Sequence, residues 1–362
     1  MVDQATTLEH LGLAVGSPGI RSVGPLAFGP EGVLFVGDNV GAAIYAIDVG
    51  DSETSGQARA IDLDNLDSSL AAYLGCTRED VEIRDLAVHP GSNNAYLSVM
   101  RGSGDAAVPV IVRIDASGAI SDVALDEIGF SKSEIEDAAD EDDPREVTRV
   151  KLRTVTVTDM SYVDGLLVVA GTSNEEFSST LRRIRFPFTG DTNANSLEIF
   201  HVSHGRYETA APIRAFVPYQ GNNSILASYT CTPVVQFTVS DFAPGELAHG
   251  KTVAELGAHN RPLDLVSYEQ GDEEYLLVAN DRHPLIKIAC VDIDQQGPLT
   301  VPDDSLDSSP ADPVTPGVGV PRQLLPHEGV RRMANLDGDN VLMLQQDPEG
   351  NIHLHTYDVG DL

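Results

Sequence analysis

One pattern recurs six times in this chain: an apolar run, a tight turn, a β-rich run, a polar loop and a second β-rich run. The first runs are GPLAFGPEG at Gly24, RDLAVHPGS at Arg84, TDMSYVDG at Thr158, IRAFVPYQG at Ile213, PLDLVSYEQG at Pro262 and RRMANLDG at Arg331. They set Leu26, Leu86, Met160, Phe216, Leu265 and Met333 at equivalent places. The second runs, among them VLFVGDN, LLVVAGT and YLLVAN, are almost continuously apolar and bounded by Gly, Asn and Asp. Such runs suit strands of sheets buried on both faces. A β unit repeated at this spacing buries its faces only against copies of itself, so the repeat predicts a closed ring of similar sheets.

The expected architecture is all-β, a six-bladed β-propeller of four-stranded antiparallel blades, with residues 1–362 forming a single domain. Outer strands read less clearly. ARAIDL near Ala58, ISDVAL near Ile120, SLEIFHV near Ser196, TVAELG near Thr252 and PRQLL near Pro321 supply five. The sixth blade runs out of chain at Leu362, so the N-terminal segment LEHLGLAV from Leu8 is expected to complete it and remove an exposed edge. Three insertions vary the spacing. LDNLDSSLAAYLG predicts a short helix ending at Gly75, SKSEIEDAADEDDP an acidic helix capped by Ser131 and Glu134, and PDDSLDSSPADPVTPG a Pro- and Asp-rich loop.

Charge narrows the partners. Net charge is −33, with 56 acidic residues and only four lysines, Lys132, Lys151, Lys251 and Lys287. Nucleic acid binding relies on clustered Lys and Arg, so no nucleic acid partner is expected. Three widely spaced cysteines, Cys76, Cys231 and Cys290, form neither a disulfide framework nor a CxxC metal motif. No apolar run reaches a membrane span and no apolar leader follows Met1, so the chain as given reads as soluble.

The phrases VLFVGDN, AIYAIDV and YLLVANDRHPLIKI resemble the six-bladed propeller superfamily that includes YVTN, NHL and SMP-30/gluconolactonase-like proteins. RDLAVHP, SNEEFSSTLR, HGRYET, YTCTP and NRPLDL also resemble a group of uncharacterised bacterial propeller-like proteins. The resemblance implies the fold and, since such propellers are often exported, a periplasmic or exported location. Enzymes of the SMP-30-like branch hold one divalent metal in the channel, but their ligand pattern does not map onto this chain residue by residue.

In a propeller, the loop before the first strand and the loop between the second and third strands open on one face, around the channel. A pocket there is the expected site. Asp85, Asp159 and Asp264 fall at equivalent approaches to the channel and suit a hard cation such as calcium or magnesium. His201, His204 and Glu208 supply nitrogen and oxygen donors that suit zinc. Cys231 is a candidate nucleophile beside His204, and Glu175 and Arg282 candidate acid–base and orienting groups. Asn174, Glu208, Arg214, Tyr229, Asn260, Arg261 and Asn280 complete the expected ligand-binding set. The expected function is a binding or interaction module for a small polar or anionic molecule, a divalent metal (Ca, Mg or Zn) or a protein segment. The alternative is a metal-dependent hydrolase, lactonase, lyase or isomerase using the same channel site.

Overall fold

The computed structural model describes residues 8–52, 59–257, 260–302 and 317–362. Six antiparallel blades form a six-bladed β-propeller. Their innermost strands are Leu26–Phe28, Val81–Val88, Asp159–Val163, Ile213–Tyr219, Pro262–Gln270 and Val330–Asn335, in blades one to six. The second strands, such as Val33–Asp38 and Ala95–Arg101, are buried almost throughout, as their unbroken apolar character requires.

The blades do not follow each other around the ring in chain order. Six apolar clusters join blades one and two, one and three, three and four, four and five, five and six, and six and two. The spatial order is therefore two, one, three, four, five, six, closing back onto two. Two long crossings produce it. After blade one the chain pairs Leu63 with Leu354 on the outer edge of blade six, then enters blade two. After blade two, Ile128–Glu134 returns to form the outer strand of blade one, against Ala43–Asp48, before the chain continues into blade three.

These crossings correct three expectations. The ARAIDL run is not the outer strand of blade one; its end at Leu63 bridges to blade six, and Ile128–Glu134 takes its place because it offers blade one's edge a longer ladder. The N-terminal strand Ala14–Gly16 does not complete the last blade; it pairs with Ile128–Glu134 on the outside of blade one. The edge it was to cover is instead occupied by the Leu63 segment, which Ile61, Leu66 and Leu70 anchor in the core between blades two and six. The predicted helix from Ser131 is also a strand, with Ser131 opposite Ala46 and Glu134 opposite Ala43. The Ser-x-x-Glu pattern offers only local capping, whereas the exposed edge of blade one offers a ladder of backbone partners. The helix Leu66–Leu74, ending at a left-handed Gly75, is as expected. The Pro- and Asp-rich segment from Pro302 and Ala58 of the ARAIDL run lie outside the described residues, save the segment's two ends, Pro302 and Gly317. No helix among the described residues is long and apolar enough to cross a membrane.

Candidate functional site

The inner strands share a device that shapes the channel mouth. In blades two, four, five and six the first strand carries a bulge, at Arg84, Arg214, Leu263 and Arg331. A bulge re-aims the following side chain, and the next position holds Asp85, Ala215, Asp264 or Arg332. Asp159 of blade three occupies the same place directly ahead of Met160.

Three of these aspartates bind the neighbouring blade. Asp85 Oδ2 accepts the backbone N–H of Leu26, Asp159 Oδ2 that of Phe216, and Asp264 Oδ2 that of Met333, each at 2.7 Å. Blades two, three and five thus hold blades one, four and six, and the ring has a pseudo-threefold pattern of carboxylate staples. Asp159 and Asp264 also accept the N–H of the residue that follows each of them. Asp85 Oδ1 lies 3.3 Å from Nε of Arg332.

All six blades line one cavity of about 530 Å³ above these staples, through Pro25, Asp85, Asp159, Arg214, Asp264 and Arg332. Residues Val150–Val157 lie across its side, tied to blade one through Asn39, which bonds the backbone N–H and C=O of Val157. Burial raises all three carboxyls. For Asp159 the charges of Asp85 and Asp264 add to the rise; for Asp264 burial and the charge of Asp85 outweigh Arg332 and bring it to about 7. Burial and the adjacent Arg332 lower Arg214 to about 10 against the attraction of the three acids.

The arginines differ in their commitments. Arg332 donates to the carbonyls of Arg84, Leu263 and Arg331. Arg84 donates to the Val23 carbonyl and to Glu82. Arg214 donates no hydrogen bond to any described residue, and its side chain lines both this cavity and an adjoining one of about 450 Å³. Its guanidinium is thus a half-buried cation on the wall of both cavities.

A second polar cluster stands at the rim, between blades three and four. The outer strand Thr192–His201 ends in the turn Val202–His204, and Arg206–Glu208 folds back against it. Gly205, at φ 61, makes that reversal. Glu208 bonds both rings, Oε2 to His201 Nδ1 at 3.0 Å and Oε1 to His204 Nδ1 at 2.7 Å. Cys231 stands in the loop between the second and third strands of blade four, its sulfur within 4.8 Å of a nitrogen of each ring. Burial alone would lower His201; the nearby Cys231 thiol, the bond to Glu208 and the charge of Glu255 outweigh this and raise it to about 10. Burial likewise opposes the ionised Glu208, but its histidine partners hold it near 2. Glu255, fully buried, accepts from the Val202 N–H and the Thr232 hydroxyl.

The remaining expected residues scatter. Glu175 and Asn174 are exposed, and their carbonyls, not their side chains, are held by Arg145. Arg282 is exposed. Arg261 pairs with Asp281 at 2.8 Å, and Asn260 with Asn280 at 2.9 Å beneath the loop of blade five. Tyr229 is buried in the apolar cluster between blades three and four. Of Glu175, His204, Asp264 and Arg282, only Asp264 lines the channel cavity. Glu255 was not anticipated; its one signal is an acidic residue ending the apolar strand TVAE.

The molecule is a propeller with a charged channel mouth and a separate imidazole–thiol cluster at its rim. No protein-family model matches the chain, and no curated protein does. Its fold is similar to that of the PQQ-bound aldose sugar dehydrogenase of Streptomyces coelicolor, at 12% identity over 96% of this chain and 98% of that one, with a TM-score of 0.39. Streptogramin B lyase is similar at 9% identity over 96% and 97%, TM-score 0.37. The Cps50 (Swd1) propeller domain of Myceliophteria thermophila is similar at 11% over 93% and 83%, TM-score 0.41.

Proposed function

We propose that this propeller is a binding module that holds a small, polar, negatively charged molecule in the channel mouth, with Arg214 as its chief cation. One observation carries the reading: a half-buried guanidinium without a hydrogen-bond acceptor among the described residues, lining a cavity of about 530 Å³. A partly desolvated guanidinium without an acceptor gains by a carboxylate or phosphate group that accepts from it in bidentate fashion. Asp264, raised to about 7, supplies a proton donor to the same space at mildly acidic pH. The size of the cavity favours a small molecule over a protein segment.

The alternative, a metal-assisted hydrolase, lactonase, lyase or isomerase, asks Asp85, Asp159 and Asp264 to act as ligands. Each carboxylate is already engaged by a neighbouring blade's amide. The trio is also not among the groups of described residues whose donor atoms converge within 4.8 Å of one another. Binding is therefore the reading the geometry favours.

Titration calorimetry against small hydroxy acids, dicarboxylates and sugar phosphates tests it. Binding is expected for at least one class, and Arg214→Ala weakens it on the order of 10- to 100-fold, the loss of a charged hydrogen-bonding partner. An affinity that Arg214→Ala leaves unchanged, or no binding across the three classes, rejects it.

A further inference from the structure

We propose that the rim cluster is a transition-metal site, with His201, His204 and Cys231 as ligands for a borderline-soft divalent ion of the zinc class. A nitrogen of each histidine and the Cys231 sulfur lie within 4.8 Å of one another. That convergence brings together two imidazoles and a thiol, the donor types such ions take. The site is distinct from the channel, since none of the three residues lines the cavity there.

The orientation of the rings is the second observation. Glu208 occupies Nδ1 of both histidines, one carboxylate oxygen to each. This leaves Nε2 of each ring to face an ion; that of His204 has no hydrogen-bond partner among the described residues, while that of His201 is met by the Ser203 and Thr232 hydroxyls at 2.8 and 3.2 Å, which an ion would displace. A carboxylate behind a ligating histidine is the usual outer support of a metal site. The ring centroids are only 3.9 Å apart, tilted by 46°. Glu208 is itself held by Arg206 at 3.0 Å.

The chain positions make the site a clasp. His201 and His204 belong to the end of blade three and Cys231 to blade four. A bound ion would tie the two blades, displacing the thiol proton and the proton of the His201 ring to solvent. His201 is buried, but Cys231 is half-buried and the His204 side chain 46% exposed, so the ion has a path in and room for water as a fourth ligand.

A second group of three, Asp64, His353 and His355, differs in its support. There a single exposed carboxylate oxygen of Asp64 bonds both rings at 3.1 Å, and only His353 has a further carboxylate partner, Asp347. It serves as the internal control.

Cobalt(II) is the probe, because a thiolate ligand gives it a near-ultraviolet charge-transfer band. The full chain, stripped with chelator, is expected to bind one equivalent of cobalt(II) with that band and to release it to zinc(II). Cys231→Ser abolishes the band, Glu208→Gln weakens affinity on the order of 10- to 100-fold, and Asp64→Asn changes neither. His204→Gln, at a partly exposed position, serves should the Cys231 variant fail to fold, and also lowers affinity at least tenfold. A band that survives Cys231→Ser, cobalt binding removed by Asp64→Asn but not by His204→Gln, or no band in the unaltered protein overturns the proposal.

Discussion

Asp159 Oδ2 and the backbone N–H of Phe216 meet at 2.7 Å across the boundary between blades three and four. The same contact recurs from Asp85 to Leu26 and from Asp264 to Met333. The channel acids are therefore parts of the ring's closure. Asp159→Ala leaves the Phe216 and Met160 amides unmet, and about 1–3 kcal/mol of stability should be lost. Urea unfolding measures it; a variant as stable as the parent would show that the staples contribute nothing.

The pH dependence follows from the same acids. Asp264 titrates at about 7 in the folded chain and near the ordinary carboxylate value when unfolded. Between those values the folded state holds the extra proton, so this group's contribution is complete below the lower value and lost as pH rises through 7. Melting temperature should fall from pH 5 to pH 8, and Asp264→Asn should flatten that slope. Comparing the two proteins separates this effect from the general relief of self-repulsion in a chain of net charge −33. Parallel curves would contradict the assignment.

Gly171 packs directly against the backbone of the 150–157 segment. A Cβ there would stand 2.0 Å from the Thr156 carbonyl oxygen. That same carbonyl accepts from Arg182, a fully buried guanidinium paired with Asp137 at 2.8 Å. Gly171→Ala should cost about 1–3 kcal/mol or more by overpacking. It should also weaken ligand binding in the channel, because the displaced segment lines that cavity. Differential scanning calorimetry with calorimetric titration checks both, and an undisturbed melt counts against the tight packing.

Ile61 tests the crossing that closes the ring. It is 1% exposed, two residues from the Leu63–Leu354 pairing. Ile61→Ala should cost about 2–5 kcal/mol. Hydrogen exchange should quicken at Leu354, whose amide bonds the Leu63 carbonyl at 3.0 Å. Exchange there at the parent rate would mean that blade six does not need the segment.

The positions just ahead of the equivalent apolar residue of each repeat were legible as channel-facing, and Asp85, Asp159, Arg214, Asp264 and Arg332 do line the cavity together. The roles were not. Nothing in RDLAVHP or TDMSYVDG says that the aspartate will bind another blade's amide, because that partner lies about 57 or 59 positions away. Glu175 and Arg282 were attractive as polar groups in loops, yet loop backbone can be held while its side chains stay in water, as Arg145 holds the Glu175 carbonyl.

The repeating apolar runs by themselves determined the six blades, since each sheet must bury its faces against a like neighbour. Tertiary structure alone decided which neighbour. The chain visits blade two before returning a strand to blade one, and it lends the Leu63 segment to blade six, because open strand edges accept whichever nearby segment satisfies their backbone groups. It also decided that His201, His204 and Cys231 meet while Glu175 and Arg282 remain apart. A strand's own alternation sets which way a side chain faces, but only the packing of separate blades sets what it faces.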